Sequence, residues 1–412
     1  MAIQTVTERL DYLTFKGNLE HSRYGWLRLT PAHSIHFISD LLDTASCEEP
    51  IVLDPFCGTG TTALACAERG IECDTTDINP FLLWLSRAKT YSYDNDDLAA
   101  FKASSGKVVE AMHATDCTPT WLPPLHQIEK WWDEDVLNSL ARAISEIREL
   151  EKCLPEGACN LLKIAFCRTM IEHANVSFGH QSMSFKKKEM RRFFLETQED
   201  LVIESWERSV SLLLKSASTD MSRTPCIVLQ DARKLSETLK ANRYSLVVTS
   251  PPYPNRMSYI RELRPYMYWL DYLDNGRDAG ELDWQAIGGT WGCATSNLNR
   301  WEPDPQIKVP FDNFYNLLTA IATHSSLLAR YVHKYFEDMV VHCSELFTVV
   351  RPRGTIHYII GNSKFYDVLL PVETIFASLF QAAGFVDTDI RVIRKRSSKK
   401  ELFEFVVSAR KP

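Results

Sequence analysis

The fold of this chain is decided by residues 51–62, which read IVLDPFCGTGTT. The apolar run Ile51 to Leu53 predicts a short buried strand that ends at Asp54. A glycine-rich turn follows and leads into a helical run from Ala63 to Arg69, which Gly70 ends. A strand, a glycine loop and a helix in this order are typical of the first unit of a doubly wound α/β sheet.

The neighbouring residues extend this pattern in both directions. Ile71 to Thr76 predicts a second strand that ends at Asp77, and Phe81 to Lys89 predicts the helix after it. Upstream, Pro31 to Leu42 carries apolar residues at helical spacing. The N-terminal part of the chain therefore predicts a Rossmann-like α/β fold.

From residue 95 to residue 222 the pattern changes to long helical periodicities with few strand-like runs. The predicted helices of this part are Glu134–Glu151, Ala158–Ala174 and Glu189–Lys215. We therefore expect an α/β domain made of residues 1–94 and 223–412, interrupted by a helical insertion at 95–222.

The part after the insertion supplies the remaining elements of the sheet. Its predicted strands are Cys226–Leu229, Ser245–Val248, Gly354–Ile360, Arg391–Ile393 and Phe403–Ser408, and its predicted helices are Tyr335–Val349 and Val372–Ala383. Residues 272–312 are rich in Gly, Asn, Asp and Trp, and we expect a long irregular loop there. Loops of that length in compact domains are usually functional or mobile.

Composition excludes several classes of protein. Hydrophobic residues make up 45% of the chain and charged residues 24%, as in soluble globular proteins. The net charge of −7 excludes a basic surface overall but allows local basic patches. The eleven cysteines form no Cys-x-x-Cys pair, which argues against a structural zinc site and a disulfide framework and favours a reducing cytoplasm. We find neither a signal peptide nor a run of eighteen apolar residues.

The glycine loop matches the pattern G-x-G-x-x-G/A of sites for dinucleotides and for S-adenosyl-L-methionine. Asp54 distinguishes these ligands, because a carboxylate beside a pyrophosphate is repelled, whereas it suits a ligand that carries an ammonium and a sulfonium. Asp77 suits a ribose diol in either case. A phosphate-binding loop of the Walker type is excluded, since no Gly-Lys-Ser/Thr follows. The loop therefore favours S-adenosylmethionine over NAD.

A second motif, Thr249-Ser250-Pro251-Pro252-Tyr253, ends an apolar strand. Two consecutive prolines fix φ and remove two backbone donors, which leaves carbonyl acceptors beside a hydroxyl and an aromatic ring. Such a surface suits an exocyclic amine, whose N–H groups need oxygens and whose ring can be stacked. The alternative is a proline-rich turn that packs a tyrosine.

The two motifs together resemble those of the DNA methyltransferases that methylate exocyclic amino groups, specifically the cytosine-N4 group. In that family Ser-Pro-Pro-Tyr goes mostly with N4-cytosine, and Asp- or Asn-Pro-Pro-Tyr/Phe mostly with N6-adenine. The resemblance covers about residues 1–94 and 223–412. It implies an enzyme that flips a cytosine out of duplex DNA and methylates its amine. It also implies a prokaryotic, cytoplasmic restriction–modification or related defence system, with a restriction endonuclease as partner.

The resemblance also implies roles for individual residues. Phe56, Gly58 and Gly60 would line the methionine part of the cofactor, Asp77 its ribose and Asp231 its adenine amine. The helix start around Thr30 and Ser34 would meet the cofactor carboxylate, or one of these two residues only caps the helix. The predicted cofactor-binding residues are Thr30, Ser34, Asp54, Phe56, Gly58, Gly60, Thr61, Asp77, Asp231 and Thr249. The predicted catalytic residues are Ser250, Pro251, Pro252 and Tyr253.

Basic residues indicate where DNA could bind. Five cations within residues 186–192 are either a phosphate-contacting loop or a solvated face, and a second basic stretch spans 391–400. The predicted DNA-binding residues are Lys186, Lys187, Lys188, Arg191, Arg256, Arg394 and Arg396. The insertion that carries the first cluster is a candidate target-recognition region, although it precedes the Asp231 strand.

Other functions remain open from the sequence. N6-adenine methylation is the main alternative within the family. RNA guanine-N2 methyltransferases share the Asp-Pro-Phe-Cys-Gly-Thr-Gly string but pair it with Asp-Pro-Pro-Tyr, where this chain has Ser250. Carbon-5 methylation needs a Pro-Cys loop, and Pro225-Cys226 begins a strand instead. A non-catalytic protein that binds the cofactor and DNA is the alternative from another class.

Overall fold

The strand Tyr244–Thr249 is buried at all six positions, as a central strand covered on both faces requires. It belongs to a seven-stranded sheet in the computed structural model, which describes residues 18, 23–27, 29, 34–44, 49–114, 121–177, 184–185, 197–255, 258–289, 293–396 and 401–412. The strands are β1 Ile51–Asp54, β2 Glu72–Asp77, β3 Cys226–Leu229, β4 Tyr244–Thr249, β5 Val350–Gly361, β6 Val386–Lys395 and β7 Phe403–Arg410.

The strand order of the sheet is β3-β2-β1-β4-β5-β7-β6. The pairs from β3 to β5 are all parallel, whereas β7 is antiparallel to both β5 and β6. The order reverses between β1 and β4, which is the switch point where open α/β sheets bind ligands beyond the carboxyl ends of their strands. The predicted doubly wound Rossmann-like sheet is confirmed.

Helices cover the sheet and fill the central part of the chain. In the described residues they are α1 Ile35–Asp43, α2 Thr61–Arg69, α3 Pro80–Thr90, α4 Asn95–His113, α5 Ile128–Trp131, α6 Glu134–Glu151, α7 Glu156–Glu172, α8 Gln198–Ala217, α9 Tyr259–Trp269, α10 Gly276–Gln285, α11 Cys293–Arg300, α12 Phe314–Ala322, α13 Ser326–Val349 and α14 Val372–Ala383. No helix within these ranges is both long and apolar enough to cross a membrane.

Alternating side chains of the central strands divide the core between the two faces. Val52 and Val248 pack in one cluster with residues of α1 and α2. Leu53 and Val247 point the other way and pack in a second cluster with residues of α13 and α14. Successive side chains of these strands thus point to opposite faces, and both faces are covered by helices. The strands therefore need apolar residues on both sides.

The helical segment between residues 95 and 217 shares a hydrophobic core with the rest of the chain. Trp132 and Phe166 from this segment contact Trp269 of α9 edge-on, with ring centroids 5.6 and 5.4 Å apart. Phe81 of α3 lies in the same core cluster. The helix that follows the second motif is therefore packed directly against the helical segment.

One expectation about irregular structure is wrong. Residues 272–312, expected to form a long loop, contain α10 and α11. The side chain of Asn275 caps α10 by accepting hydrogen bonds from the N–H groups of Arg277 and Asp278. A local cap of this kind starts a helix whose composition by itself suggests a loop.

The N-terminal segment is tied to the fold by a fully buried arginine. The Arg23 guanidinium donates to the carbonyls of Lys89 and Tyr91 at the end of α3, at 3.0 and 2.5 Å. It also donates to the carbonyls of Ala217 and Thr219 at the end of α8, at 2.8 and 2.5 Å. One side chain thus satisfies carbonyls that two helix ends leave without intrahelical partners.

We expect Arg23→Gln to lower the free energy of unfolding by about 2–3 kcal/mol, because buried carbonyls at two helix ends lose their donors. Urea unfolding followed by circular dichroism measures the change. Arg69→Gln is the matched control, since Arg69 pairs with Asp43 at the surface and such pairs contribute about 1 kcal/mol or less. Equal losses in the two variants would contradict the role of Arg23.

Candidate active site

The two sequence motifs meet at the carboxyl ends of β1 and β4. The Thr249 hydroxyl donates a hydrogen bond of 2.6 Å to Asp54 Oδ1, although the two residues are 195 positions apart in the chain. Asp54 is 1% exposed and Thr249 is completely buried. The glycine loop and the Ser-Pro-Pro-Tyr segment are therefore joined by a hydrogen bond between the tips of neighbouring strands.

The glycine loop has the backbone conformation that its glycines allow. Gly58 and Gly60 have φ values of 52° and 77°, in the left-handed region that favours glycine. A Cβ on Gly60 would lie 2.4 Å from Ser86 Oγ and 3.0 Å from Ser86 Cα, so the loop is in close contact with α3. Thr61 begins α2, which places a helix N-terminus at the end of the loop.

Asp54 lies beneath this loop. Besides the bond from Thr249, its Oδ1 accepts one from the Phe56 N–H at 3.1 Å. Burial raises the pKa of Asp54 to about 7, against the lowering effect of these hydrogen bonds. Asp54 thus connects the two motifs from below, and its charge is sensitive to pH near neutrality.

Asp77 lies at the tip of β2 and closes the loop from the other side. Its Oδ2 accepts from the Gly58 N–H at 3.0 Å, and its Oδ1 accepts from the Asn79 N–H at 2.9 Å. Burial raises the pKa of Asp77 to about 6, so the carboxylate is mostly ionised at pH 7. Each oxygen keeps acceptor capacity for a ribose hydroxyl.

Asp231 is already engaged by a neighbouring arginine. The Arg233 guanidinium donates to Asp231 Oδ2 at 2.6 Å and also pairs with Asp338 at 2.8 Å. Burial works to raise the pKa of Asp231, but the bonds and charge of Arg233 outweigh it and hold the pKa below its ordinary value. An adenine amine would share this carboxylate with Arg233.

Phe56 packs against a histidine that sequence reasoning missed. The rings of Phe56 and His342 are 4.9 Å apart and edge-on. His342 is fully buried; its Nδ1 lies 2.8 Å from the Ala232 carbonyl, and its Nε2 lies 2.6 Å from the Tyr358 hydroxyl. Because a carbonyl cannot donate, Nδ1 carries the proton and Nε2 accepts from Tyr358. Burial lowers the pKa of His342 to about 4, which keeps it neutral.

The Ser-Pro-Pro-Tyr segment is held by residues from distant elements. Tyr335 of α13 donates to the Pro252 carbonyl at 2.8 Å, and the Tyr253 hydroxyl donates to Glu404 Oε1 of β7 at 3.0 Å. Ser250 Oγ lies 3.5 Å from the Tyr253 hydroxyl. No sequence signal marks Tyr335 or Glu404, because each is an isolated polar residue within an ordinary helix or strand pattern.

Two of the predicted DNA-binding arginines lie beside this segment and have partners there. Arg394 forms an ion pair with Glu404, with Nε 2.7 Å from Oε2. The Arg396 guanidinium lies over the Tyr253 ring, 5.0 Å from its centroid, and donates to the Asn362 carbonyl at 2.8 Å. In this structure both guanidinium groups are therefore engaged with other residues of the protein.

The remaining predictions concern residues at the helix start and in the basic cluster. Ser34 is buried and is the N-cap residue of α1, but the first N–H of that helix, from Ile35, donates to the Asn18 side chain at 2.9 Å. Several predicted residues lie outside the described part of the chain, namely Thr30, Lys186, Lys187, Lys188, Arg191 and Arg256.

The residues at the switch point fit S-adenosylmethionine. Two carboxylates, from Asp54 and Asp77, face a loop whose glycines allow close approach of a ligand. The ligand brings two positive charges and a diol, which match negative charge and carboxylate acceptors. The cofactor-binding roles of single residues stay predictions.

Comparison with known proteins agrees with this description. Residues 33–88 match the N6/N4 methyltransferase family of DNA methylases. The chain is 24% identical to the type II methyltransferase M.MvaI from Kocuria varians, over 80% of this chain and 73% of that protein. It is 19% identical to the type II methyltransferase M.BsoBI from Geobacillus stearothermophilus, over 95% of this chain and 84% of that protein. The segment around the glycine loop thus belongs to the N6/N4 DNA methylase family, and the chain is a distant homologue of type II methyltransferases.

Among solved structures, TrmN from Thermus thermophilus aligns with 99% of this chain at 11% identity and a TM-score of 0.30. The alignment covers 55% of TrmN, so this chain spans about half the length of that protein.

Gly60→Ala should weaken binding of S-adenosylmethionine at least roughly tenfold, about 1.4 kcal/mol, because the new methyl group must push the loop away from Ser86. Isothermal titration calorimetry measures the affinity. Gly106→Ala is the matched control, since a Cβ at Gly106 in α4 meets nothing within 4 Å. Wild-type affinity in a folded Gly60→Ala protein would contradict the tight contact.

Asp54→Asn should change how stability depends on pH. The pKa of Asp54 rises from 3.8 to about 7 on folding, so its contribution to stability is complete below pH 4 and is lost as the pH rises towards 7. Asparagine does not ionise, so the stability of the variant relative to wild type should rise between about pH 4 and pH 7 and level off above that range. Urea unfolding at several pH values measures this difference, and a difference that does not vary with pH would refute the assignment.

Proposed function

We propose that this protein is a DNA methyltransferase that transfers a methyl group from S-adenosylmethionine to the exocyclic N4 amine of a cytosine in duplex DNA. The hydrogen bond between Asp54 and Thr249 is the observation that carries the proposal, since it brings the glycine loop next to the Ser-Pro-Pro-Tyr segment. Membership of residues 33–88 in the N6/N4 DNA methylase family supports methylation of an amino group.

The side chains at the switch point suit the positioning of both reactants. S-Adenosylmethionine, when bound, supplies an electrophilic methyl group. The Ser250 hydroxyl and the Pro251 carbonyl would accept the N–H groups of the target amine and so direct its lone pair towards the loop. Tyr335 fixes the Pro252 carbonyl and thereby the bend of the segment. The Tyr253 ring would stack against the base.

Ser250 favours cytosine over adenine. A serine hydroxyl can donate to the ring nitrogen beside the amine and can also accept from the amine, whereas an ionised aspartate can only accept. Adenine also has an acceptor nitrogen next to its amine, so N6-adenine methylation is the alternative outcome of the test. The smaller pyrimidine ring suits the short serine.

The central helical segment is our candidate for contacting DNA around the target base. Phe185, from the two-residue strand Ser184–Phe185, is 48% exposed and lies edge-on to Trp131, with centroids 5.8 Å apart. Lys186, Lys187, Lys188 and Arg191 follow it in the sequence, and we propose that they bind phosphates. Similarity to type II methyltransferases supports a restriction–modification role with a cognate endonuclease.

Mass spectrometry of nucleosides tests the reaction directly. Unmethylated plasmid DNA incubated with the purified protein and S-adenosylmethionine should acquire N4-methylcytosine. Ser250→Ala should lower the rate about 100-fold, as expected for loss of one transition-state hydrogen bond, with cofactor affinity unchanged.

Each other product identifies one of the alternatives. N6-Methyladenine alone would mean that Ser250 does not select the base. N2-Methylguanine in added RNA would indicate an RNA enzyme, and cofactor and DNA binding without any methyl transfer would indicate a non-catalytic protein.

A further inference from the structure

The Tyr253 ring is held from two directions by residues of the antiparallel end of the sheet. Its hydroxyl donates to Glu404 Oε1 at 3.0 Å, and one of its faces is covered by the Arg396 guanidinium at 5.0 Å. Both partners come from the strand pair β6–β7 and the residues just after β6, about 140 to 150 positions further along the chain. A tyrosine fixed only by its own backbone would have no such contacts.

Glu404 is itself fixed. It lies opposite Arg394 in the β6–β7 pairing and opposite Gly361 in the β7–β5 pairing. Arg394 Nε lies 2.7 Å from Glu404 Oε2, and Arg394 Nη2 lies 3.3 Å from Oε1. The Glu404 side chain is only 11% exposed, and the charge of Arg394 compensates for the burial of its carboxylate. Oε1 of this carboxylate also accepts the hydrogen bond from Tyr253.

Arg396 reaches Tyr253 because position 361 has no side chain. A Cβ at Gly361 would lie 2.4 Å from Arg396 Nη1 and 2.8 Å from its Cζ. The guanidinium crosses the end of β5 at this point and donates to the Asn362 carbonyl. Cation–π contact with a tyrosine face suits this arrangement.

The Tyr253 hydroxyl donates to Glu404 and can accept from Ser250 Oγ, which lies 3.5 Å away. Burial raises the pKa of Tyr253 well above its usual value, and the charge of Glu404 raises it further. The phenol therefore keeps its proton at neutral pH and can donate to the carboxylate.

We propose that Glu404 and Arg396 are positioning residues that fix the Tyr253 ring before DNA binds, so that its plane is ready to stack on the flipped base. This inference rests on the proposed function. A fixed aromatic ring loses less conformational entropy when the base arrives, and small displacements of a stacking group lower catalytic rates. Neither Glu404 nor Arg396 needs to contact the base.

A double-mutant cycle between Tyr253→Phe and Glu404→Ala tests the contact. Each single variant should lower kcat for methyl incorporation into unmethylated plasmid DNA about tenfold, and the double variant should be no slower than the slower single variant, because both changes remove the same bond. The dissociation constant for S-adenosylmethionine should stay within about twofold, since the Tyr253 hydroxyl donates to Glu404 and not to the candidate cofactor carboxylates Asp54 and Asp77. Losses that multiply, or wild-type kcat in Tyr253→Phe, would overturn the proposal.

Two further variants separate positioning from general damage to the fold. Glu404→Gln keeps an oxygen that can accept from Tyr253, and it should recover most of the kcat lost in Glu404→Ala. Asp387→Asn is the matched control, because Asp387 lies on the same strand pair but forms its ion pair with Arg410 at the surface. It should keep wild-type kcat. A Glu404→Gln protein as slow as Glu404→Ala would count against the hydroxyl contact.

A spectroscopic measurement tests the contact independently of the proposed reaction. In protein labelled with 3-fluorotyrosine, the ¹⁹F resonance that disappears in Tyr253→Phe belongs to Tyr253. This resonance should move in Glu404→Ala and in Gly361→Ala, where the new methyl group displaces Arg396, and should stay in place in Asp387→Asn. An unmoved resonance would overturn the inference even if the wild-type protein methylates DNA. If the resonance moves but wild-type protein transfers no methyl group, the proposed function fails and the contact stands.

Discussion

The hydrogen bond from Thr249 to Asp54 is the contact on which the site depends. It forms at the switch point of the sheet, where β1 and β4 are neighbours although residues 55–243 lie between them in the chain. The loop after β1 supplies glycines, and the segment after β4 supplies a serine, two prolines and a tyrosine. Since both segments start from this buried pair, a shift of either strand would separate the candidate cofactor site from the candidate base site.

The candidate site contains two buried carboxylates whose ionisation is opposed by burial. Asp54 and Asp77 lie at adjacent strand ends, and burial raises the pKa of both into the range between about 6 and 7. Two poorly solvated carboxylates cost stability when they are ionised. A ligand that carries positive charge reduces that cost, so the residues that weaken the isolated fold are those that favour a cationic cofactor.

Packing links the site to the rest of the molecule on two sides. Trp269, at the end of the helix that follows the Ser-Pro-Pro-Tyr segment, contacts aromatic residues of the central helical segment. On the other side, Glu404 and Arg396 bring the antiparallel strands to Tyr253. The Ser-Pro-Pro-Tyr segment therefore lies between the central helical segment and the antiparallel end of the sheet. Packing on either side can influence its position.

The sequence alone determined the α/β class, the two motifs and most strand positions, because these depend on local properties such as apolar runs, glycine loops and consecutive prolines. Cys226–Leu229 and Val372–Ala383 have the predicted bounds, and residues 33–88, which contain the glycine loop, match the N6/N4 family of DNA methylases. Helix α10 within 272–312 was missed because its start depends on a single capping asparagine, Asn275. Only the tertiary structure decided that Glu404, Arg396, Tyr335 and His342 support the site, and that Arg394 pairs with a carboxylate. Except for the pair Arg394–Glu404, these contacts join residues far apart in the chain, and they arise from strand order and side-chain direction, which no local pattern encodes.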